Sequence, residues 1–555
     1  MHSRKKLLSG TTFTSIGALI SRVLGLLREI ACANLWGMSS GIMDAFVLAL
    51  RVPFFFRRLF SEGVLGVSYI PVLSYEIEKA QRKAVAAGKD AKDADFSKIW
   101  KIVSTVFVLL AIIMTIFVLI CEAACFAVMF LQESTPVSAL FLKLLAISLP
   151  SVLLICLIAQ LAATLQAFHR FLVPTFPPIF MNTVVLIQVC TIAMQVESQE
   201  TQAIIVTTGM TCSALFPVAF LWFALWRGNG FYFHFDFQAT KPFLRKILRW
   251  MLPMMLGLMI IPLNALLSSL IAWVFSAPVG GAAHIWWLPG KIAYPMQQGA
   301  VSALALGERL SQFPLGLLGI PVAVTIFPML SRVAAQGNRR VLSVLFTRGL
   351  CMTLFLAIPG TVGLMLIGTP LVRIFFEHGK FSPEDAVRAG NMVTIYCSAV
   401  WAFCLLPVLI RGFYVLGDRR TPMRAGTVIA GANILLNLVL IWFFAEVGLA
   451  VSTAALTIFQ VFWMMIMLHR RLLKLALPML AMRTFRCVAA SAVMAGVCFL
   501  PWMQHILTLA GEDGKHFHRL LLLVVFSGTA GGAYLLAYGV IKLATRGGER
   551  REEEG

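Results

Sequence analysis

The stretch from Ser21 to Ser74 restricts this chain more than any other. It begins SRVLGLLRE and continues, after a short turn, as MDAFVLALRVPFFFRRLFSEGVLGVSYIPVLS. Both apolar segments are long enough to cross a bilayer, yet together they hold Arg22, Arg28, Glu29, Asp44, Arg51, Arg57, Arg58 and Glu62. A charged side chain at mid-bilayer costs about 2.5–3.5 kcal/mol on insertion scales, so five arginines facing lipid would cost of order 10 kcal/mol. They must face water or one another. A cavity lined with guanidinium groups wants an anionic guest, because the planar fork pairs with carboxylate or phosphate oxygens and keeps its proton.

Composition sets the class around that stretch. Of 555 residues, 59% are hydrophobic and only 13% charged, and the mean hydropathy is +0.86. These values describe a polytopic membrane protein, since a soluble core of this size needs far more charged surface. The net charge of +21 would point to nucleic acid if it were clustered. Instead, most Lys and Arg fall in the termini and in every second loop, the positive-inside pattern, so the basicity reads as topology and no nucleic-acid partner is expected. The 11 cysteines are scattered through apolar stretches without a CxxC or Cys/His cluster. They read as small buried hydrophobes, with no metal site and no disulfide framework. The first apolar segment holds arginines and lacks an A-x-A-like site, so it is not expected to be a cleaved signal peptide.

In order, the chain gives about fourteen spans of the ~20 residues that a ~30 Å hydrocarbon core requires. The loop from Lys79 to Lys101 carries seven Lys and Arg and is expected in the cytoplasm, as are both termini. The acidic turns QESTPV and VESQETQ, the loop FEHGKFSPED and a turn at Glu446-Val447-Gly448 are expected outside. The expected domains are an N-terminal lobe over 1–226, a cytoplasmic linker over 227–247 and a C-terminal lobe over 248–468. A basic linker over 469–484, two helices over 485–541 and a cytoplasmic tail over 542–555 follow. The two lobes repeat one another. VSYIPVLS (67–74) is echoed by VTIFPMLS (324–331), and LQAFHRFLVP (165–174) by YVLGDRRTP (414–422), at offsets of about 257 and 248 residues. Six helices per unit make this a parallel repeat, and such halves commonly rock about a site between them.

SRVLGLLRE, DAFVLALRVPFFFRRLFSEG, GERLSQFPLGLLG, FEHGKF and the fourteen-span count resemble the MurJ (MviN) family of bacterial lipid II flippases, within the MOP transporter superfamily. The resemblance covers essentially the whole chain. It implies an all-α fold of two six-helix lobes in a V around a central cationic cavity, with the last two helices forming a groove for the lipid tail. The family's pyrophosphate-binding arginines carry over to Arg22, Arg28, Arg57 and Arg309, and the acidic residue of the second span to Asp44. Glu29 and Glu308 stand where Asp is more usual. About twenty residues around 276–298 look inserted. Lipid II, membrane lipid and cell-wall synthesis proteins are the implied partners, the bacterial inner membrane the implied location, and no cofactor or catalytic residue is implied.

Helical phase supports this site in part. At 100° per residue, Asp44, Arg51, Arg58 and Glu62 fall within about 40° of one another, whereas Arg57 lies about 100° from Arg58. Pro53 is expected to kink the span and spoil phase counting across it. The resemblance therefore ranks Arg57 first and Arg58 second, with Arg51, Glu29, Glu62 and Glu308 supporting or gating. Asp44 or Glu308, paired with an arginine of the other lobe, would act as a latch that substrate pyrophosphate releases. Asn182, Asn433 and Asn437 read as bonds across helices, and Trp286-Trp287 as an interfacial anchor.

The chain has no Walker motif, HExxH or GxSxG, so an ion gradient or the membrane potential is expected to supply the energy and the chain is not expected to be an enzyme. Two transporter alternatives stand beside the lipid II reading. A flippase for another polyprenyl-diphosphate-linked glycan would share the phosphate site. A MATE-like drug and cation antiporter would carry cavity carboxylates rather than arginines. A membrane enzyme acting on lipid-linked sugars would need paired carboxylates or a metal motif, and none is convincing.

Overall fold

The computed structural model describes residues 2–60, 65–90, 94–131, 135–278, 284–285, 291–512 and 516–545. Glu62 and the Trp286-Trp287 pair lie outside them. The described residues form helices and connecting turns, with two isolated β-bridges in the segment before residue 299. The chain divides into two compact units.

The first unit contains α1 (His2–Trp36), α2 (Ile42–Leu59), α3 (Leu65–Ala86), α4 (Ser97–Leu131), α5 (Pro136–Ser148), α6 (Pro150–Ala167), α7 (Phe176–Thr191), α8 (Gln199–Ser213), α9 (Leu215–Asn229) and most of α10 (Phe237–Val274). It also takes in residues 277–293 and 297–299. The second contains α11 (Ala300–Pro314), α12 (Ile320–Ala335), α13 (Arg339–Phe376), α14 (Pro383–Ser398), α15 (Val400–Val415), α16 (Arg420–Met467), α17 (Leu477–Cys498), α18 (Pro501–Glu512) and α19 (His516–Ala544). Among the described residues, eight helical segments are long and apolar enough to cross a membrane, or nine if the bent pair α14–α15 is one span. The charged helices α2 and α11 lie outside that set, and α16 covers the ground of two expected spans.

The internal repeat reappears as packing. In the first unit α2 packs on α5, while α3 and α4 both pack on α6. In the second, α11 packs on α14, while α12 and α13 both pack on α15. Each unit buries its own apolar cluster, centred on Tyr69, Trp100 and Leu161 in the first and on Phe346, Leu409 and Phe413 in the second. The outward faces of α4, α16 and α19 leave Phe130, Phe443 and Leu536 exposed. A face of that kind is at home against lipid tails, which are as apolar as the side chains.

Proline and small polar side chains explain how charged, broken helices persist in an apolar surround. Pro53 offers no N–H to the carbonyl of Ala49, yet α2 runs through it. The Ser148 hydroxyl of α5 donates to that carbonyl instead, at 3.2 Å. Pro150 opens α6, and Thr211 of α8 donates to the Ile147 carbonyl beside the break at 2.9 Å. Where α14 meets α15 at a bend of 40°, Trp401 N–H donates to Thr361 Oγ1 of α13 at 3.0 Å. Backbone groups freed in a membrane must find such partners, since each unsatisfied one costs several kcal/mol. A π-helical turn, Leu315–Gly319, joins α11 to α12.

The turn expected at Glu446-Val447-Gly448 is a kink inside α16, with Ala445 at φ 50° and ψ −136°. The chain folds back so tightly that a Cβ on Gly448 would lie 2.6 Å from the Leu440 carbonyl oxygen, which leaves no room for a loop. Asn433 and Asn437 are buried between the two arms. Asn437 donates to Asn433 at 3.1 Å, and Asn433 reaches Ser452 and Thr453 at 3.3 and 3.4 Å, so they join helix arms as expected.

The connector after α9 docks on α4. His234 N–H donates to Ser104 Oγ at 3.1 Å, Asp236 N–H to Thr105 Oγ1 at 3.3 Å, and Lys101 pairs with Asp236 at 3.0 Å. The Ala239 N–H bond and Lys101 together hold the Asp236 carboxyl below the usual carboxylate range. The two appended helices α17 and α19 pack against α13, where Tyr534 donates its hydroxyl to the Phe355 carbonyl at 2.9 Å. Arg486 of α17 is buried and donates to the Thr545 carbonyl just beyond α19, a cation at a helix C-terminus.

Candidate functional site

In the first unit, α1 and α2 bring two arginines to one aromatic ring. The Arg28 guanidinium carbon lies 5.9 Å from the centre of the Phe54 ring, and that of Arg57 lies 5.1 Å from the same centre. Each is near enough to be attracted by the ring quadrupole, worth about 0.5–1 kcal/mol at an exposed site and more when desolvated. Phe54 thus offers both guanidinium groups one attractive face, which helps two like charges share a small space. The FFFRR run gave the only sequence signal for it, and helical phase alone did not select it.

Arg28 is 7% exposed and is fixed at its other edge. Its Nη1 donates to Asn182 Oδ1 of α7 at 3.0 Å, and its Nη2 to Glu29 at 3.4 Å. Asn182 Nδ2 in turn donates to the Ser21 carbonyl at 3.2 Å, tying α7 to α1 at a second point. The asparagine is therefore a cross-helix bond, as its sequence position suggested, and one that orients Arg28. Arg22 is exposed on α1, whereas Arg51 and Arg58 are half-buried on α2, as is Arg57.

Asp44 sits apart from the arginine pair, in the first turn of α2. Thirteen residues separate it from Arg57, which is about 20 Å along a helix. It is 1% exposed and accepts a hydrogen bond from the Gly299 N–H at 2.8 Å. Next to that contact Gly41, at φ 72°, leaves a notch for Gln298, whose Oε1 would lie 2.1 Å from any Cβ there. The segment before α11 is thereby stitched to the start of α2.

In the second unit Arg309 and Glu308 are half-buried on α11, and Glu308 accepts from Gln312 at 2.9 Å. Gly307 beside them is pressed onto α14: a Cβ there would meet Tyr396 at 2.8 Å and Met392 at 2.9 Å. Sequence reasoning missed this glycine, which a one-dimensional reading sees only as a weak helix former.

Residues 33–521 match the family described as "Lipid II flippase MurJ". The chain belongs to that family. A "Probable lipid II flippase MurJ" of Vibrio cholerae serotype O1 is 31% identical over 548 residues, covering 94% of this chain and 97% of that relative. One of Rhizobium meliloti is 30% identical over 444 residues, covering 79% of this chain and 77% of the relative. The fold is similar to a solved "Lipid II flippase MurJ, inward closed conformation", with a TM-score of 0.71 at 20% identity over 96% of this chain and 98% of that one. A multidrug resistance MATE family transporter of the MOP superfamily in an inward-facing conformation follows at a TM-score of 0.59 and 11% identity, over 80% and 94%. Both solved structures thus share the helical fold that the described residues form here.

Proposed function

We propose that this chain flips lipid II, the undecaprenyl-diphosphate-linked disaccharide-pentapeptide, from the cytoplasmic to the outer leaflet of a bacterial inner membrane by alternating access. The observation that carries the reading is the pair Arg28 and Arg57 on one Phe54 ring, with Arg28 held by Asn182. Two oriented guanidinium groups suit a pyrophosphate, whose oxygens accept several charge-assisted bonds at once. Arg22 and Arg309 complete the proposed pyrophosphate set, with Arg51, Arg58, Asp44, Glu29, Glu62 and Glu308 supporting or gating. A lysine would bind as a point charge, without the fork. The arginine excess in α1 and α2 disfavours a cation antiporter, and no step requires bond-making by the protein. The lobes are 1–226 and 248–468, helices over 485–541 hold the tail, and both termini are cytoplasmic.

Depletion of the protein in a bacterium that depends on it tests the substrate. Lipid II is expected to accumulate on the inner leaflet, and accumulation of a different polyprenyl-linked glycan, with lipid II unchanged, would replace this reading. Topology has its own check: reporters fused after Lys89 or Arg546 should be cytoplasmic, and one placed in 378–384 extracytoplasmic. A Lys89 fusion found outside would overturn the orientation of everything from the second span onward.

A further inference from the structure

At one end of the second unit, where α13 and α14 meet the kink of α16, lies a cleft of about 480 Å³. Its polar lining is Arg373, Glu384, Arg388, Asn391 and Glu446. Glu384, Arg388 and Asn391 stand at i, i+4 and i+7 on α14, so they share one face of that helix. Arg388 Nε donates to Glu446 Oε1 at 2.5 Å, a half-buried pair that pins α14 to the residue just after the kink.

Arg373 is held less well. Its Nε lies 3.7 Å from Glu377 Oε2, beyond hydrogen-bond reach. Both atoms are buried, and neither has a hydrogen-bond partner among the described residues. A buried donor left in that state costs about 1–3 kcal/mol, and the Arg373 side chain, 39% exposed, offers the cleft a guanidinium that the carboxylate beside it does not hold by a hydrogen bond.

The balance of charges selects the guest. Two carboxylates disfavour a purely anionic ligand, and two guanidinium groups disfavour a purely cationic one. Among the described residues no aromatic side chain lines the cleft, so they give it no stacking face of the kind a sugar ring prefers. What remains is a ligand carrying both signs, its carboxylate toward Arg373 and its ammonium toward the exposed Glu384 and the half-buried Glu446. The volume falls within the range of about 300–1,000 Å³ that takes a drug-sized ligand, which is more than a lone amino acid fills.

We propose that this cleft binds a short peptide by its amino and carboxylate groups. The inference deepens the proposed function and rests on its topology, which places the cleft outside, where the peptide of the flipped headgroup arrives with its C-terminal carboxylate and side-chain ammonium free and its N-terminus joined to the sugar. The protein would then hold the substrate at a second point, after the pyrophosphate has left the arginines.

The test uses the full-length protein in lipid nanodiscs and calorimetric titration with trialanine, with its N-acetylated, C-amidated form, and with free alanine. Trialanine is expected to bind at least tenfold more tightly than the capped form, which has lost both charges, and more tightly than alanine. Arg373→Gln and Glu446→Gln should each weaken trialanine at least fivefold, with thermal unfolding confirming that both variants are folded. Arg28→Ala should leave this binding unchanged. No binding of trialanine, equal binding of the capped form, or unaltered affinity in both folded variants overturns the proposal. Tighter binding of alanine than of trialanine also overturns it, in favour of a free amino acid as guest. Because the titration needs no transport, its failure leaves the depletion result standing, and failure of depletion leaves the titration standing.

Discussion

Arg28→Ala, Arg57→Ala and Arg309→Ala are each expected to bring lipid II flipping to background while the protein still inserts in the membrane. Each guanidinium that pairs with pyrophosphate contributes a charge-assisted bond worth about 1.5–3 kcal/mol. At 1.4 kcal/mol per factor of ten, losing one weakens binding about 10- to 150-fold. The three sites should differ in their cost to stability. Removing Arg28 strands the Asn182 oxygen and leaves Glu29 without its 3.4 Å partner, so this variant should also unfold more readily. Arg57 packs on the Phe54 ring, and its loss gives up at least that contact, worth about 0.5–1 kcal/mol. Lysine at each position should recover activity in part, because it restores the charge and not the fork. Flipping by reconstituted protein, set beside thermal unfolding of the same samples, separates the two effects. Wild-type flipping in all three folded alanine variants would remove the cationic site from the mechanism.

The second large effect is expected at a residue with no charge. Gly307→Val should lower thermal stability and flipping together, and Gly307→Ala should do so to a smaller degree. An alanine in a helix interior is ordinarily favoured over glycine by about 0.8–1.0 kcal/mol. Here the contact decides the sign. The new Cβ would sit 2.8 Å from Tyr396 and 3.0 Å from the Met392 backbone carbon, which cannot rotate away. Overpacking of that kind costs about 1–3 kcal/mol, and valine adds two further methyl groups to the clash. Relief requires α11 to lift from α14, and Arg309 lies only two residues along α11. A Gly307→Val protein as stable as the parent would show that the two helices are not held at this distance.

The class of fold was legible because the bilayer imposes lengths and polarity that a sequence must display. The charged second helix, its repeat in α11 and the arginines on both stand out for the same reason: they break a rule that nearly every other span obeys. What pairs with those arginines was less legible. Asn182 lies 154 residues from Arg28, and only the packing of α7 on α1 brings it near. Phe54 looks like one more lipid-facing aromatic until the azimuth of Arg57 is known, and Pro53 was expected to make that azimuth uncountable. The helix runs on through Pro53, and Ser148, from a distant segment, takes the carbonyl that the proline leaves. Gly448 was legible as part of a turn and Gly307 as part of a motif, but not the close packing that each permits, since close approach between backbones depends on which helices meet.

The jointed helices of this chain have a mechanical meaning. A continuous rod that spans a bilayer carries any tilt at one surface to the other, like a stiff lever. A rod cut near its middle does not. α5 with α6, α8 with α9 and α14 with α15 are each jointed within one stretch, into pieces of 13–18 residues, or about 20–27 Å each, and α14–α15 bends by 40° at its joint. Thr211 on the Ile147 carbonyl and Thr361 on the Trp401 N–H act as pins at the α5–α6 and α14–α15 joints, so these pieces can pivot with those backbone groups still bonded. Such a frame can loosen at one surface while its other half keeps its packing, a decoupling that a carrier open to only one side at a time requires.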